Sequence, residues 1–261
     1  MLIDPIAKLR SAMREVADGD FKVEAKCESR IQDVQDIYDS FNSMVRELST
    51  TETLQTDFIS DVSHEFKTPI NAIEGYASLL EGEPSPEEQR AYVEKILFNT
   101  RRLSALTGNI LLLSKLSNQS ILPQKTQFRL DEQIRQAIVA LEQKWSEKEL
   151  GFEVELAETP FFGYESLLPH VWTNLIGNAV KFSPKGGEIR IKMMRTEGAV
   201  VFTIEDDGPG IVPGDEEHIF TKFYQSESSH GMEGNGLGLA LVRQIVEMSG
   251  GSVDVQNLEA G

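Results

Sequence analysis

A chain of 261 residues with 40% hydrophobic content is long enough to bury more than one core. Its formal charge of −17 and pI near 4.7 disfavour nucleic acid and anionic lipid surfaces, so an acidic ligand has to be met by local cations or by a metal. The single cysteine, Cys27, excludes an internal disulfide and suits a reducing compartment, and no run reaches the roughly 18 to 20 apolar residues that span a bilayer.

In chain order, residues 1–50 hold two apolar series that step by three and four: Ile6, Leu9, Met13, Val16, then Val34, Ile37, Phe41, Met44, Leu48. Ala17-Asp18-Gly19-Asp20 breaks the helix between them, and Phe21-Lys22-Val23 can run extended. Two short heptad helices cannot bury their seams alone, so a parallel dimer in a four-helix coiled coil is expected. A charged surface helix pair is the alternative, and it leaves the apolar seams unexplained. No breaker follows the second helix, which is expected to continue through residues 49–55 as one rod.

That rod carries Ser63-His64-Glu65-Phe66-Lys67-Thr68-Pro69. On a helix over residues 53–80, Phe58, Val62, Pro69, Ile73, Tyr76 and Leu80 gather into one stripe, and His64 falls roughly 160° from its centre. Thr68 shares the histidine's face one turn later and Glu65 flanks it. A largely neutral imidazole can attack phosphorus through one ring nitrogen while an adjacent carboxylate takes the proton held by the other. Pro69 has no N–H for the carbonyl of Glu65, so a bend is expected there. A His-Glu-x-x-His zinc site is excluded because Thr68 stands where the second histidine is required. A solvated surface histidine satisfies the His-Glu pair by itself, so a phosphate-accepting role depends on the rest of the chain.

Gly82-Glu83-Pro84 ends the rod, and Ser85, Pro86 and Glu88 suit the N-cap, first helical and capping-box positions of the next helix. Val93, Ile96, Thr100, Leu103, Ile110 and Leu113 carry that helix to about Lys115. The result is an antiparallel helical hairpin whose apolar faces suggest a dimeric four-helix bundle. Past the linker 117–124 the pattern changes. Strands are expected over 128–130 and 152–156, around a helix from 131 to about 145, followed by a helix over 165–182 and a turn at Ser183-Pro184-Lys185-Gly186-Gly187. Residues 188–195 and 199–205 alternate as a hairpin, and a helix over 237–248 precedes a strand over 252–256. This is an α/β sandwich, with a sheet covered by helices on one face.

Three polar constellations lie in this second half. Asn174, Asn178 and Lys181 share a helix side, offering amide oxygens for magnesium and an ammonium for phosphate, although a solvated face accounts for them equally. Asp206-Asp207-Gly208-Pro209-Gly210 follows a hydrophobic strand, where an acid can accept a hydrogen bond from an adenine amino group, or simply form an acidic turn. Gly234-Asn235-Gly236-Leu237-Gly238-Leu239 opens a helix whose positive end suits phosphate; such a triplet alone is weak, but three constellations downstream of a histidine hairpin are strong.

Taken together these residues resemble the sensor histidine kinases of two-component systems. Ser63 to Pro69 looks like their H box, Asn174-Leu175-Ile176-Gly177-Asn178-Ala179-Val180-Lys181-Phe182 like their N box, and Asp206 to Gly210 like their first glycine box. Ile219-Phe220-Thr221-Lys222-Phe223-Tyr224 resembles their F box and Gly234 to Leu239 their second glycine box. Residues 1–50 are similar to a HAMP signal-relay module through Pro5, the Ala17 to Phe21 link and Phe41-Asn42-Ser43-Met44, although Arg30-Ile31-Gln32-Asp33 replaces the usual Asp-Glu-x-Gly.

The resemblance implies a HAMP-like relay over 1–50, a dimerisation and phosphotransfer hairpin over 51–118, and a catalytic ATP-binding domain over 125–261 without its last strand. It implies that His64 is phosphorylated, with Glu65 as general base and Thr68 placing water for dephosphorylation of the regulator. The implied cofactors are ATP and Mg2+. Asn178 is the implied magnesium ligand, with Asn174, Lys181 and Phe182 beside the nucleotide, Asp206 reading adenine, and Gly208, Gly210, Lys222, Gly234, Gly236 and Gly238 completing the site. Gln225 stands where a basic residue is common in the family, which leaves Lys222 as the cation there. Implied partners are a second copy in a homodimer and a response regulator receiver domain, with no nucleic acid. The parent is expected to be anchored by a membrane helix before residue 1, these residues forming its cytoplasmic portion. A catalytically silent dimeric relay is the competing expectation; a gyrase-like ATPase gives no reason for the histidine hairpin.

Overall fold

The computed structural model describes residues 3–27, 31–117, 123–226 and 234–258; the linker residues 118–122, Arg30, His230 and Gly261 lie outside them. The chain packs as two compact units, residues 1–68 and 69–261.

In the first unit α1 (Ile3–Ala17) is followed by a link and by α2 (Gln32–Leu80), a single helix of 49 residues that contains Pro69 and enters the second unit. The uninterrupted helix agrees with the absence of breakers after residue 50. Leu9 and Ala12 pack with Ala25, Tyr38, Phe41 and Val45, and partly buried Val16, Val23, Cys27 and Val34 surround them. The link is tied to α2 by Asn42, whose amide accepts the Ala25 N–H and donates to the Ala25 carbonyl, both at 2.9 Å. Tyr38 donates its hydroxyl to the Pro5 carbonyl at 2.6 Å. The core therefore uses Tyr38, Phe41 and Val45, a stripe displaced from the expected one. Ile37 and Met44, 52% and 47% exposed, face away from it together with Ile6, Met13 and Leu48. An aromatic ring with its own carbonyl acceptor fills the single-chain seam, leaving the aliphatic stripe for something else.

In the second unit α2 ends at Leu80 and α3 (Pro86–Ser117) begins in the expected capping box. Ser85 N–H and Oγ both donate to Glu88 Oε2 at 2.8 Å, and the Glu88 N–H reaches Ser85 Oγ at 3.3 Å. Those bonds from the Ser85 backbone and side chain hold the Glu88 carboxyl below its ordinary value. The Tyr76 and Tyr92 rings meet across the hairpin at 5.9 Å. Leu106, Leu113 and Leu116 are buried on α3, which packs against α7 (Gly238–Met248).

The α/β part contains β1 (Thr126–Arg129), α4 (Leu130–Ala140), α5 (Glu142–Glu147), β2 (Gly151–Leu156), β3 (Pro160–Gly163), α6 (Leu168–Phe182), β4 (Glu188–Arg195) and β5 (Val200–Asp206). The order β2-β4-β5 forms one sheet, parallel between β2 and β4 and antiparallel between β4 and β5, while β1 and β3 make a separate antiparallel pair. Ile189, Ile191 and Met193 are buried on one face of β4, and Glu188, Arg190 and Lys192 are exposed on the other. The helices cover that buried face, α6 contacting α4, α7 and β5. The expected sandwich is present.

Three element expectations need correction. The strand β3 was not anticipated; its Pro160-Phe161-Phe162-Gly163 lacks clear alternation and is held by pairing with β1. The helix expected over 131–145 divides at Leu141, because the Ile138 carbonyl accepts the Leu141 N–H at 3.2 Å and the Trp145 indole N–H at 3.0 Å in place of continuing the α ladder. Trp145 thereby reaches the Phe152 ring at 5.2 Å. Residues 252–256 form no strand. Val253 and Val255 are half-buried in alternation, but no ladder forms; Asn257 instead bonds the Ile211 N–H and carbonyl, each at 2.7 Å.

Candidate functional site

His64 and Thr68 are both exposed on α2, with Glu65 half-buried beside them and Pro69 buried. The Thr68 hydroxyl donates to the His64 carbonyl at 3.4 Å, which fixes the two residues on one helical face a turn apart. Half-buried Phe58, Val62, Ile73, Tyr76 and Leu80 occupy the other side. The amphipathic pattern thus presents an accessible imidazole with a carboxylate next to it and a hydroxyl above it.

The second group of residues converges on the edge of α6. Asn174 and Asn178 are half-buried on it, and the Asn174 amide donates to the His170 carbonyl at 2.7 Å. A Cβ on Gly238 would lie 2.3 Å from Asn174 Oδ1, so only glycine lets the start of α7 approach that amide. Lys181 extends over the Phe182 ring, its Nζ 4.5 Å from the centroid, and toward Gly234, where a Cβ would be 3.1 Å from the ammonium. Gly236 has φ +65° and its missing Cβ would meet the Phe223 backbone at 2.5 Å, while the Phe223 N–H donates to the Gly236 carbonyl at 2.9 Å. The 3₁₀ turn His218–Phe220 and the segment after it are thereby joined to the second glycine turn.

Asp206 ends β5. Its Oδ1 accepts the Gly208 N–H at 2.9 Å, and a Cβ on Gly208 would clash with that oxygen and press on the Phe182 carbonyl at 3.3 Å. Partial desolvation raises the Asp206 carboxyl above its ordinary value although the residue keeps an exposed face; the Gly208 bond opposes this and the like charge of Asp207 adds to it. Gly210, at φ +74°, lies beside the Asn257 side chain. Lys222 is exposed after the 3₁₀ turn. The structure therefore brings Asn174, Lys181, Phe182, Asp206, Gly208, Gly234, Gly236 and Gly238 around one edge of the sandwich. The glycines form a cradle that any side chain would fill, and amide oxygens, an ammonium and a carboxylate border it, a donor set that fits a nucleotide with a hard divalent cation. No cluster of three acidic, histidine or cysteine side chains suited to a metal occurs among the described residues.

Several contacts escaped the sequence reading. Arg102 of α3 and Gln225 each donate to the Gly234 carbonyl at 3.3 Å. Asp207 Oδ2 accepts the Glu188 N–H at 2.8 Å and so ties the first glycine turn to the start of β4. Their partners are distant in sequence, and no local spacing announces them. The Gln225 contact gives that position a backbone partner in place of the family's common cation.

Three family models match the chain: HAMP domain over residues 1–50, His Kinase A (phospho-acceptor) domain over 54–119, and Histidine kinase-, DNA gyrase B-, and HSP90-like ATPase over 163–261. The chain is 33% identical over 254 residues to the heme sensor protein HssS of Staphylococcus epidermidis, an alignment that takes in 97% of this chain and 55% of that protein. It spans about half the length of the curated relatives it matches. Among solved structures, histidine kinase ThkA in complex with response regulator protein TrrA aligns with a TM-score of 0.64 at 25% identity, over 82% of this chain and 61% of that one. The Acinetobacter baumannii histidine kinase AdeS aligns with a TM-score of 0.57 at 26% identity, over 70% of this chain and 86% of that one. The exposed histidine, the glycine-walled cleft and these matches agree: the chain belongs to the sensor histidine kinases of two-component systems.

Proposed function

We propose that this chain transfers the γ-phosphoryl group of Mg-ATP to His64, passes it to an aspartate of a response regulator, and also hydrolyses the resulting aspartyl phosphate. The observation that carries the proposal is the pairing, in one chain, of an exposed His64-Thr68 face with a glycine-walled cleft bordered by Asn174, Lys181 and Asp206. In this reading an imidazole nitrogen of His64 attacks the γ-phosphorus, the bond to the bridging oxygen breaks, and ADP leaves. Glu65 takes the ring proton, which keeps the attacking nitrogen nucleophilic. Asp206 accepts from the adenine amino group, while Asn174 and Lys181 hold phosphate oxygens and Gly208, Gly210, Gly234, Gly236 and Gly238 admit the ligand close to the backbone. Lys222 supplies a second cation and Phe182 an apolar wall. Asn178 offers an amide oxygen to magnesium, which when bound would neutralise charge on the phosphates.

On the acceptor side Thr68 orients the water that hydrolyses the regulator's aspartyl phosphate, since its hydroxyl lies one turn from His64 on the same face. The apolar stripe of Ile6, Met13, Ile37, Met44 and Leu48 left outside the single-chain core supports a homodimer. The HAMP match and the relatives' greater length support a membrane-anchored parent with these residues as its cytoplasmic portion; no helix among the described residues is itself long and apolar enough to cross a membrane. The test is a chase. Phosphorylated chain mixed with a panel of receiver domains should lose label to at least one of them, and Thr68→Ala should load and transfer normally yet leave the regulator phosphate longer-lived. Loss of loading in Thr68→Ala would contradict the role given to that hydroxyl.

A further inference from the structure

The C-terminus of α6 is closed by a side chain from another part of the fold. Lys148, in the turn after α5, points its Nζ at three backbone carbonyls: Val180 at 2.9 Å, Lys181 at 2.7 Å and Ser183 at 3.0 Å. A helix leaves its last four carbonyls without intrahelical donors. In α6 the Ala179 carbonyl is taken by the Ser183 N–H and hydroxyl, Val180 and Lys181 are taken by Lys148, and the Phe182 carbonyl lies against Gly208. The ammonium is half-buried and also meets the negative end of the helix dipole. Its own position is held firmly. The Gly186 N–H donates to the Lys148 carbonyl at 2.9 Å, the Gly151 N–H to the Gly187 carbonyl at 2.9 Å, and Lys185 pairs with Glu149 at 2.8 Å.

We propose that Lys148 is a positioning residue for nucleotide binding: it fixes the last turn of α6, and through that turn the Lys181 ammonium at Gly234 and the Phe182 backbone at Gly208. This inference rests on the reading of the cleft as an ATP site. Methionine at 148 keeps the apolar stem and removes the charge; arginine keeps the charge, but its planar fork cannot converge on three carbonyls from the same stem.

The test measures ATP affinity of the full chain with a fluorescent ATP analogue, with thermal unfolding alongside. Lys148→Met should bind about tenfold more weakly, the scale of lost hydrogen bonds to a charged group, and Lys148→Arg should restore only part of the loss. In a Lys181→Ala background Lys148→Met should weaken binding clearly less than in the unaltered chain, because one of the two groups it positions is gone. A merely structural lysine would lower the unfolding temperature and leave affinity unchanged, or weaken binding equally in both backgrounds, and either result overturns the proposal. Failure of the unaltered chain to bind ATP would overturn the nucleotide reading itself, and this inference with it.

Discussion

At the scale of single residues, Asp206 is where, in the proposed nucleotide reading, stability and binding oppose each other. Its folded carboxyl titrates above the ordinary value, so the ionised form is disfavoured in the fold, and this penalty is present above the raised value and relieved as pH falls through it. Asp206→Asn is therefore expected to raise the stability of the ligand-free chain at neutral pH while sharply weakening ATP binding, measured by urea unfolding and by titration with a fluorescent ATP analogue. In the unaltered chain ATP affinity should begin to fall at a higher pH than an ordinary carboxylate near 3.9 allows. Stable affinity down to that pH would contradict the role given to the carboxylate. What was legible is its place, at the end of a strand and ahead of glycines, a pattern that an acidic turn satisfies equally without a ligand. Lys148, Arg102 and Asp207 were not legible, since each acts on backbone atoms that only the fold brings near.

Elements were legible where a single periodicity ran between clear punctuation. Strand β4 occupies the expected 188–195 because its alternation is unbroken and the turn before it carries proline and glycines. The helix beginning at Pro86 follows its capping box, and Ser85→Ala should cost about 1 kcal/mol of stability, read by thermal unfolding. Where a distant contact overrides local preference, the pattern misleads. Trp145 diverts α5 from α4, and residues 252–256 alternate in burial without joining the sheet. The corner between β1 and α4 is another such contact: Asp131 is buried, receives Arg129 Nε at 2.9 Å and Nη2 at 2.7 Å, and accepts the Thr159 N–H at 2.9 Å. The Arg129 guanidinium chiefly, aided by Thr159 against the opposing effect of burial, holds this carboxyl far below the usual range. A lowered carboxyl stabilises the fold above its unfolded value, and that contribution is lost as pH falls from there toward the folded value. Asp131→Ala should lose about 2 kcal/mol at neutral pH and show a flatter stability profile below about pH 4, followed by the fluorescence of Trp145 and Trp172 in urea. An unchanged acid profile would remove the ion pair from the account.

For the whole molecule, the two apolar stripes of the first unit separate roles that the sequence could only superimpose. Tyr38, Phe41 and Val45 close the core of one chain, while Ile37, Met44 and Leu48 remain available to a partner. Replacing Ile37 and Met44 together by glutamate should leave helix content unchanged by circular dichroism and shift the sedimenting species from dimer toward monomer; a dimer of undiminished stability would place the interface elsewhere. The long α2 joins this stripe to His64 within one helix, so the HAMP-matching segment and the proposed phosphate acceptor share a backbone that the absence of breakers had already indicated.

Incubation of the full chain with magnesium and γ-labelled ATP bears most directly on the role of His64. The label is expected to survive alkali, to be released by acid, and to be absent from His64→Gln while that variant still binds ATP. Acid-stable label, or label retained in His64→Gln, would contradict the assignment of the phosphate acceptor.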